Sequence, residues 1–211
     1  MERRKEQPLL PAKTERTENT ERSPQQRAVR TITYVAMFTA VIAVCSQLAV
    51  HVGEIPYTLQ TLAVCLTAGL LGLKKGTLAV ATYIIMGVFG IPVFSGFKNF
   101  YALIGGASAG YVIGFIFTSA IVGFVSDRLK NNSEKGFNAL YSLFLALSMV
   151  IGVAVCYFFG TLWFMFVYKG SATTANLQIA LAYCVYPYVV ADLIKIVVAT
   201  ILTARLKKYV K

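Results

Sequence analysis

Residues 137–168, FNALYSLFLALSMVIGVAVCYFFGTLWFMFVY, run for 32 positions without an acidic or basic side chain. A continuous helix of that length would reach ~48 Å at ~1.5 Å per residue, more than the ~30 Å of a bilayer's hydrocarbon layer. The stretch therefore reads as a membrane span that tilts, protrudes or breaks near Gly160. Five more apolar runs flank it, at residues 31–50, 58–73, 77–93, 102–125 and 176–203. The second ends at Lys74-Lys75-Gly76. The third carries Gly87, Gly90 and Pro92 near its end, where a helix should break. Gly105, Gly106, Gly110 and Gly114 in the fourth permit close helix approach or an irregular start. The sixth contains Pro187, Asp192 and Lys195.

Composition agrees with this reading. Apolar residues make up 57% of the 211 and charged ones 14%, against about 45–50% and about 25% in soluble domains. Residues 1–30 hold 8 of the 20 Lys and Arg and 5 of the 9 acids, leaving only Glu54, Asp127, Glu134 and Asp192 beyond them. With so few apolar side chains, residues 1–30 are expected to be a disordered basic cytoplasmic tail. Residues 31–211 are expected to form an all-α, polytopic domain of six transmembrane helices. Short cytoplasmic loops carry the excess of Lys and Arg. Six spans with both termini cytoplasmic place 17 of the 20 bases inside, only Lys98 and Lys169 outside, and Lys195 within a span. The net charge of +11 is spread over these short connections, which suits anionic lipid and not nucleic acid.

Two common enzyme signatures are absent: the chain has no G-x-x-x-x-G-K-[ST] and no H-E-x-x-H motif. No catalytic residue, metal or cofactor is therefore expected, and ATP hydrolysis would have to come from another chain. Cys45, Cys65, Cys156 and Cys184 lie within apolar runs without metal-ligand spacing and read as small core residues. His51, the one histidine, stands at the end of the first run and reads as structural or interfacial.

Asp192 and Lys195 are the strongest candidates for chemistry. Ionisable groups inside a span are costly and face a cavity or a partner, and at i and i+3 these two share one helix face. Asp192 can accept and Lys195 donate hydrogen bonds to a polar ligand, and Pro187 bends the helix where a site could open. Ile55-Pro56-Tyr57-Thr58-Leu59-Gln60-Thr61 is a second cluster, whose Thr58, Gln60 and Thr61 suit an uncharged urea or amide. A third runs from Gly90 to Tyr101 and offers Phe94, Lys98 and Asn99 at the outer surface, with Tyr83 able to face the same cavity. Ala36-Met37-Phe38-Thr39-Ala40 places small residues at i and i+4 on the first span, a spacing that permits close contact with a partner helix. A stand-alone, proton-coupled secondary transporter of a small polar metabolite, with Asp192 as relay, is the competing reading.

Taken together, in order and spacing, several segments resemble one family. They are Ile55-Pro56-Tyr57-Thr58-Leu59-Gln60-Thr61, Gly69 with Gly72, Lys75-Gly76, Gly87-Val88-Phe89-Gly90-Ile91-Pro92-Val93-Phe94-Ser95-Gly96, Gly110-Tyr111-Val112-Ile113-Gly114-Phe115, and Tyr186-Pro187 followed by Asp192-Leu193-Ile194-Lys195. Over residues 31–205 the sequence resembles the BioY family, the biotin-binding S components of energy-coupling-factor (ECF) transporters. The resemblance implies a six-helix subunit of the cell membrane that captures biotin from outside. It also implies a transmembrane coupling protein and ATPase subunits as partners, with Ala36 and Ala40 docking on the coupling protein. Asp192, Lys195, Gln60, Tyr83, Phe94, Asn99 and Tyr111 are the expected biotin-binding residues. Two segments depart from the family pattern: Gly106-Ala107-Ser108-Ala109-Gly110-Tyr111 where the family reads G-P-T-G-G-Y, and Phe97-Lys98-Asn99 where it is rich in small residues.

Overall fold

The computed structural model describes residues 24–50, 55–129, 139–168 and 174–209. The expectations for residues 1–23, His51 and Glu54 fall outside these residues. Helix α1, Pro24–Gln47, starts upstream of the apolar run, so residues 24–30 of the expected tail are helical. Proline suits a first turn, where its missing N–H would have no partner, and Gln25, Gln26, Arg27 and Ala28 favour helix. A two-stranded antiparallel ladder follows, β1 (Ala49–Val50) against β2 (Tyr57–Thr58), with Ala49 opposite Thr58.

Helix α2, Gln60–Val88, is a folded hairpin. The Gln60 Nε2 donates to the Tyr83 hydroxyl at 2.9 Å, although 23 residues of straight helix would separate them by ~35 Å. The reversal is at Gly72, whose φ of 77° and ψ of −173° suit glycine alone. The sequence reading put this turn at Lys74-Lys75-Gly76; those residues already belong to the second arm. Two contacts hold the reversal. The Asp127 carboxylate accepts from the Leu73 N–H at 2.9 Å, capping the second arm from another helix, and a Cβ on Gly123 would lie 2.7 Å from the Leu73 backbone. Gly76 then lets the arms meet, with its Cβ position 2.9 Å from Ala68 Cα.

The second arm ends at Val88, followed by Gly90 at φ 89°, as its glycines and proline lead one to expect. The fourth run is indeed irregular at its start: a short α3, Phe100–Ile104, and a loop precede α4, Ala109–Arg128. Helix α5, Ala139–Trp163, does not break at Gly160. It continues and widens into a π-helical turn at Phe164–Tyr168, which takes up part of the excess length. Gly160 is used for packing, since a Cβ there would lie 2.3 Å from the Tyr111 ring. The sixth run divides at Val185 into α6, Thr174–Cys184, and α7, Tyr186–Leu206, with Pro187 in the first turn of α7.

Counting each arm of α2, six helices pass through the bundle, and the hairpin itself accounts for two of them. Among the described residues, four helical segments are long and apolar enough to cross a membrane by length and composition, Pro24–Gln47, Gln60–Val88, Ala109–Arg128 and Ala139–Phe166, although the second is folded back at Gly72. Val44, Leu147, Val190, Ile194 and Val197 are among many large apolar side chains left exposed, as a lipid-facing surface requires. The two ends of the bundle differ. At one, Ser126 donates to the Gly69 carbonyl at 2.6 Å, and Lys207 Nζ donates to Ser126 Oγ and the Tyr141 hydroxyl at 2.7 and 3.0 Å. That end gathers the start of α1, the Gly72 turn and the end of α7. It carries Arg27, Arg30, Lys74, Lys75, Arg128, Arg205, Lys207 and Lys208. The opposite end holds the ladder, the loops around α3 and the α6–α7 break.

Candidate functional site: a cavity at the loop end

Between the start of α2, α4, α5 and α7 lies a cavity of about 750 Å³, its mouth included. Two loops roof it. Residues 94–98 form a tight turn in which Phe94 and Lys98 exchange backbone hydrogen bonds of 3.0 and 3.1 Å. Gln47 at the end of α1 clamps that turn, donating from Nε2 to the Phe94 carbonyl at 3.0 Å and accepting at Oε1 from the Phe97 N–H at 3.1 Å. Thr58 of β2 and Ile55 and Pro56 just before it form the other. The Tyr188 hydroxyl donates to the Ile55 carbonyl, and its ring stacks on Tyr57 with centroids 4.2 Å apart.

The floor is polar and tightly bonded. Asp192 is 5% exposed and accepts at Oδ1 from Lys195 Nζ at 2.8 Å and at Oδ2 from the Tyr157 hydroxyl at 2.6 Å. A buried charge pair requires such additional hydrogen bonds to offset the loss of water. Each carboxylate oxygen keeps a lone pair for a ligand N–H. Gln60 lines the wall above. Having given one N–H to Tyr83, it retains its Oε1 and second N–H for the cavity. Apolar surface from Phe94, Val112, Phe115 and Val153 completes the lining.

Of the residues expected from sequence, Asp192, Lys195, Gln60, Phe94 and Tyr111 line this cavity together, as do Thr58, Thr61 and Lys98. Tyr83 stands behind the wall: fully buried, it accepts from Gln60, donates to the Val93 carbonyl at 3.3 Å and meets the Phe94 ring edge-on at 5.3 Å. It positions Gln60 and Phe94. Asn99 is a correction, because its Oδ1 accepts from the Ala102 N–H at 3.0 Å as the cap of α3 and it does not line the cavity. An N-cap asparagine and a ligand asparagine look the same in sequence. The reading missed Tyr157, Tyr188, Cys156 and Cys184, all of which line the cavity. Tyr157 differs in no sequence feature from the other tyrosines. Tyr188 had one signal, standing one turn before Asp192 on the same helix face.

Close helix packing sets these positions. A Cβ on Gly110 would lie 2.3 Å from Trp163 Cβ and 2.6 Å from the Phe159 carbonyl oxygen, so α4 and α5 touch backbone to side chain there. The Tyr111 hydroxyl then reaches the Cys184 carbonyl at 3.1 Å, joining α4 to the α6–α7 break. On the other side, Trp163 Nε1 donates to the Gly106 carbonyl at 3.1 Å and holds the loop leading to Ser108, a lining residue. That loop does not need the glycine that Ala109 replaces in the G-P-T-G-G-Y pattern, because none of its residues has a positive φ.

The BioY family profile matches residues 15–211, nearly the whole chain and more of the basic tail than the resemblance had covered. The chain belongs to the BioY family. Among curated proteins, this BioY-family chain is 34% identical over 180 residues to the biotin transporter BioY of Thermotoga maritima, covering 85% of this chain and 97% of that one. It is 31% identical over 179 residues to the biotin transporter BioY of Rhizobium etli, covering 83% and 91%. A solved structure, the S component for biotin from an ECF-type ABC transporter, superposes with a TM-score of 0.73 at 27% identity, covering 89% of this chain and 95% of that one. The BioY relatives are transporters, and this chain is a transport protein of the membrane and not an enzyme.

Proposed function

We infer that the chain is the biotin-binding subunit of a biotin uptake system. The observation that carries this reading is the cavity itself: one buried carboxylate, held by Lys195 and Tyr157, faces an aromatic-roofed, apolar space. Biotin presents a ureido ring that donates and accepts hydrogen bonds, a sulfur-containing bicycle and a carboxylate. On this reading Asp192 accepts from a ureido N–H, Lys195 or Gln60 donates to the ureido oxygen, and Phe94, Tyr111 and Phe115 enclose the bicycle. The proton-coupled alternative is weaker, because Asp192 stands in an ion pair with Lys195 on its own helix and the relatives are biotin transporters.

The basic residues described at the bundle end away from the cavity support an orientation in which that end is cytoplasmic and the cavity faces outside, in the plasma membrane. Binding captures the ligand, and movement inward falls to ECF partners, a transmembrane coupling protein with ATPase subunits. Ala36 and Ala40 are exposed on α1, away from the cavity, as a docking face requires. Ala36→Leu combined with Ala40→Leu should spare biotin binding yet abolish copurification with the coupling protein and biotin uptake. Continued uptake by cells carrying the double variant would remove this face from docking.

Calorimetric titration of the purified, detergent-solubilised chain with biotin and desthiobiotin tests the central reading, with thiamine and riboflavin as controls. Selective one-to-one binding at submicromolar concentration, without partner or nucleotide, is the expected result. Folded protein that gives no heat with biotin would refute it.

A further inference from the structure

The segment that roofs the cavity turns three of its aromatic rings away from the ligand space. Phe89, Phe97 and Tyr101 are 82%, 74% and 75% exposed, and Ile91 is exposed with them. Phe94 of the same segment is buried and faces the cavity. The outward setting of Phe97 is enforced. It stands at φ 56°, a backbone region that a bulky residue rarely adopts, beside Gly96 at φ 74°, and Gln47 Oε1 holds its N–H at 3.1 Å. Glycine or asparagine would suit that backbone better. Strain of this kind persists only where the surroundings enforce it, and it marks places where function is to be sought.

What covers these rings follows from their neighbours. Phe97 is bonded to Gln47 in the last turn of α1, whose exposed face carries Val41 and Val44. The Phe89 N–H donates to the Ile85 carbonyl at 3.0 Å and the Ile91 N–H to the Met86 carbonyl at 3.1 Å, at the end of the second arm of α2. That arm exposes Ile85 and Val88. Both faces belong to the lipid-facing flank of the bundle, so its apolar surface continues over the rim and onto the roof. Exposed apolar surface of this extent marks an interaction site, and aromatic rings favour the boundary between headgroups and acyl chains. We propose that the roof of the cavity is seated in the membrane: Phe89, Ile91, Phe97 and Tyr101 enter the interfacial layer of the leaflet at the cavity end and anchor the 94–98 turn there. Side chains in that layer lie ~5–10 Å into the boundary. A partner protein fits less well, because the rings extend the lipid-facing flank and form no separate patch. The turn over the ligand space is then held by Gln47 on one side and by lipid on the other.

The test is quenching of tryptophan emission from the full chain in phosphatidylcholine nanodiscs, with the unsubstituted chain and its single Trp163 as reference. Phe97→Trp, and separately Phe89→Trp and Tyr101→Trp, add one emitter each. Lipid brominated near the headgroup end of its chains should quench the added emission about twofold or more, and more strongly than lipid brominated at the chain ends. Iodide in the water should leave it nearly unchanged. Val197→Trp, on the exposed flank of α7, gives the quenching that full lipid contact produces. Position 97 decides; should Phe97→Trp fail to fold, positions 89 and 101 decide in its place. Emission that iodide quenches and brominated lipid does not would put the turn in water and overturn the anchor. Emission that neither reaches would mean that protein, another loop or a second copy, covers the ring, and would overturn it as well. Phe97→Asn separates anchoring from folding, since asparagine tolerates the left-handed backbone. It should unfold in detergent at an equal or higher temperature. A lower temperature would show that the ring is kept for packing on the protein, against the anchor.

Discussion

Asp192→Asn should reduce biotin affinity more than tenfold, a loss of about 1.4 kcal/mol or more. The amide has one accepting oxygen where the carboxylate has two, and both carboxylate oxygens already hold a protein donor, Lys195 and Tyr157. Its NH2 group would point a donor at one of those donors or at the ligand's own N–H. The reverse truncation separates folding from binding. Lys195→Met leaves a buried carboxylate without its counter-charge and should cost ~3–5 kcal/mol of stability as well as affinity. Removing both charges in Asp192→Asn with Lys195→Met should recover much of the stability but none of the affinity. Thermal unfolding in detergent, followed by calorimetry on the same samples, checks both halves. A double variant that binds biotin as the original does would take this pair out of the ligand site.

Gly72→Ala carries the second large effect. With φ 77° and ψ −173°, residue 72 occupies a region that a Cβ makes costly by ~1–3 kcal/mol. The added methyl would also stand 2.1 Å from Asp127 Oδ1. Asp127 is exposed and can swing away, but it then releases the Leu73 N–H it caps, worth ~1 kcal/mol more. Asp127→Ala alone should therefore cost only the cap. Because the Gly72 turn lies at the basic end and Gln60 meets Tyr83 at the other, a splayed hairpin displaces Gln60 from the cavity wall. Lower thermal stability and weaker biotin binding are expected together. Native unfolding temperature and affinity in Gly72→Ala would show that the reversal does not depend on glycine.

These two sites mark how far the sequence could be read. Asp192 and Lys195 were legible because charges in apolar runs have few physical explanations, and their spacing puts them on one face. Gly72 was legible only as a glycine near a basic pair. The choice between it and Gly76 is made by Asp127, 54 residues away in the chain, which no local pattern discloses. The helix ends at Gly87–Pro92 and the break before Pro187 followed from backbone rules, whereas the π-helical widening at Phe164 did not. Asn99 misled because capping and ligand binding use the same amide. Tyr157 was invisible for the opposite reason: its role comes from meeting α7 across the bundle.

Trp163 gives the molecule a property of practical use. It is the only tryptophan in the chain, and its indole N–H is fixed to the Gly106 carbonyl, in the loop that borders the cavity through Ser108. Any event that loosens or tightens that loop changes the polarity around the single tryptophan. The subunit thus carries its own optical reporter, and the arrival of a ligand can be timed by stopped flow on the unlabelled protein.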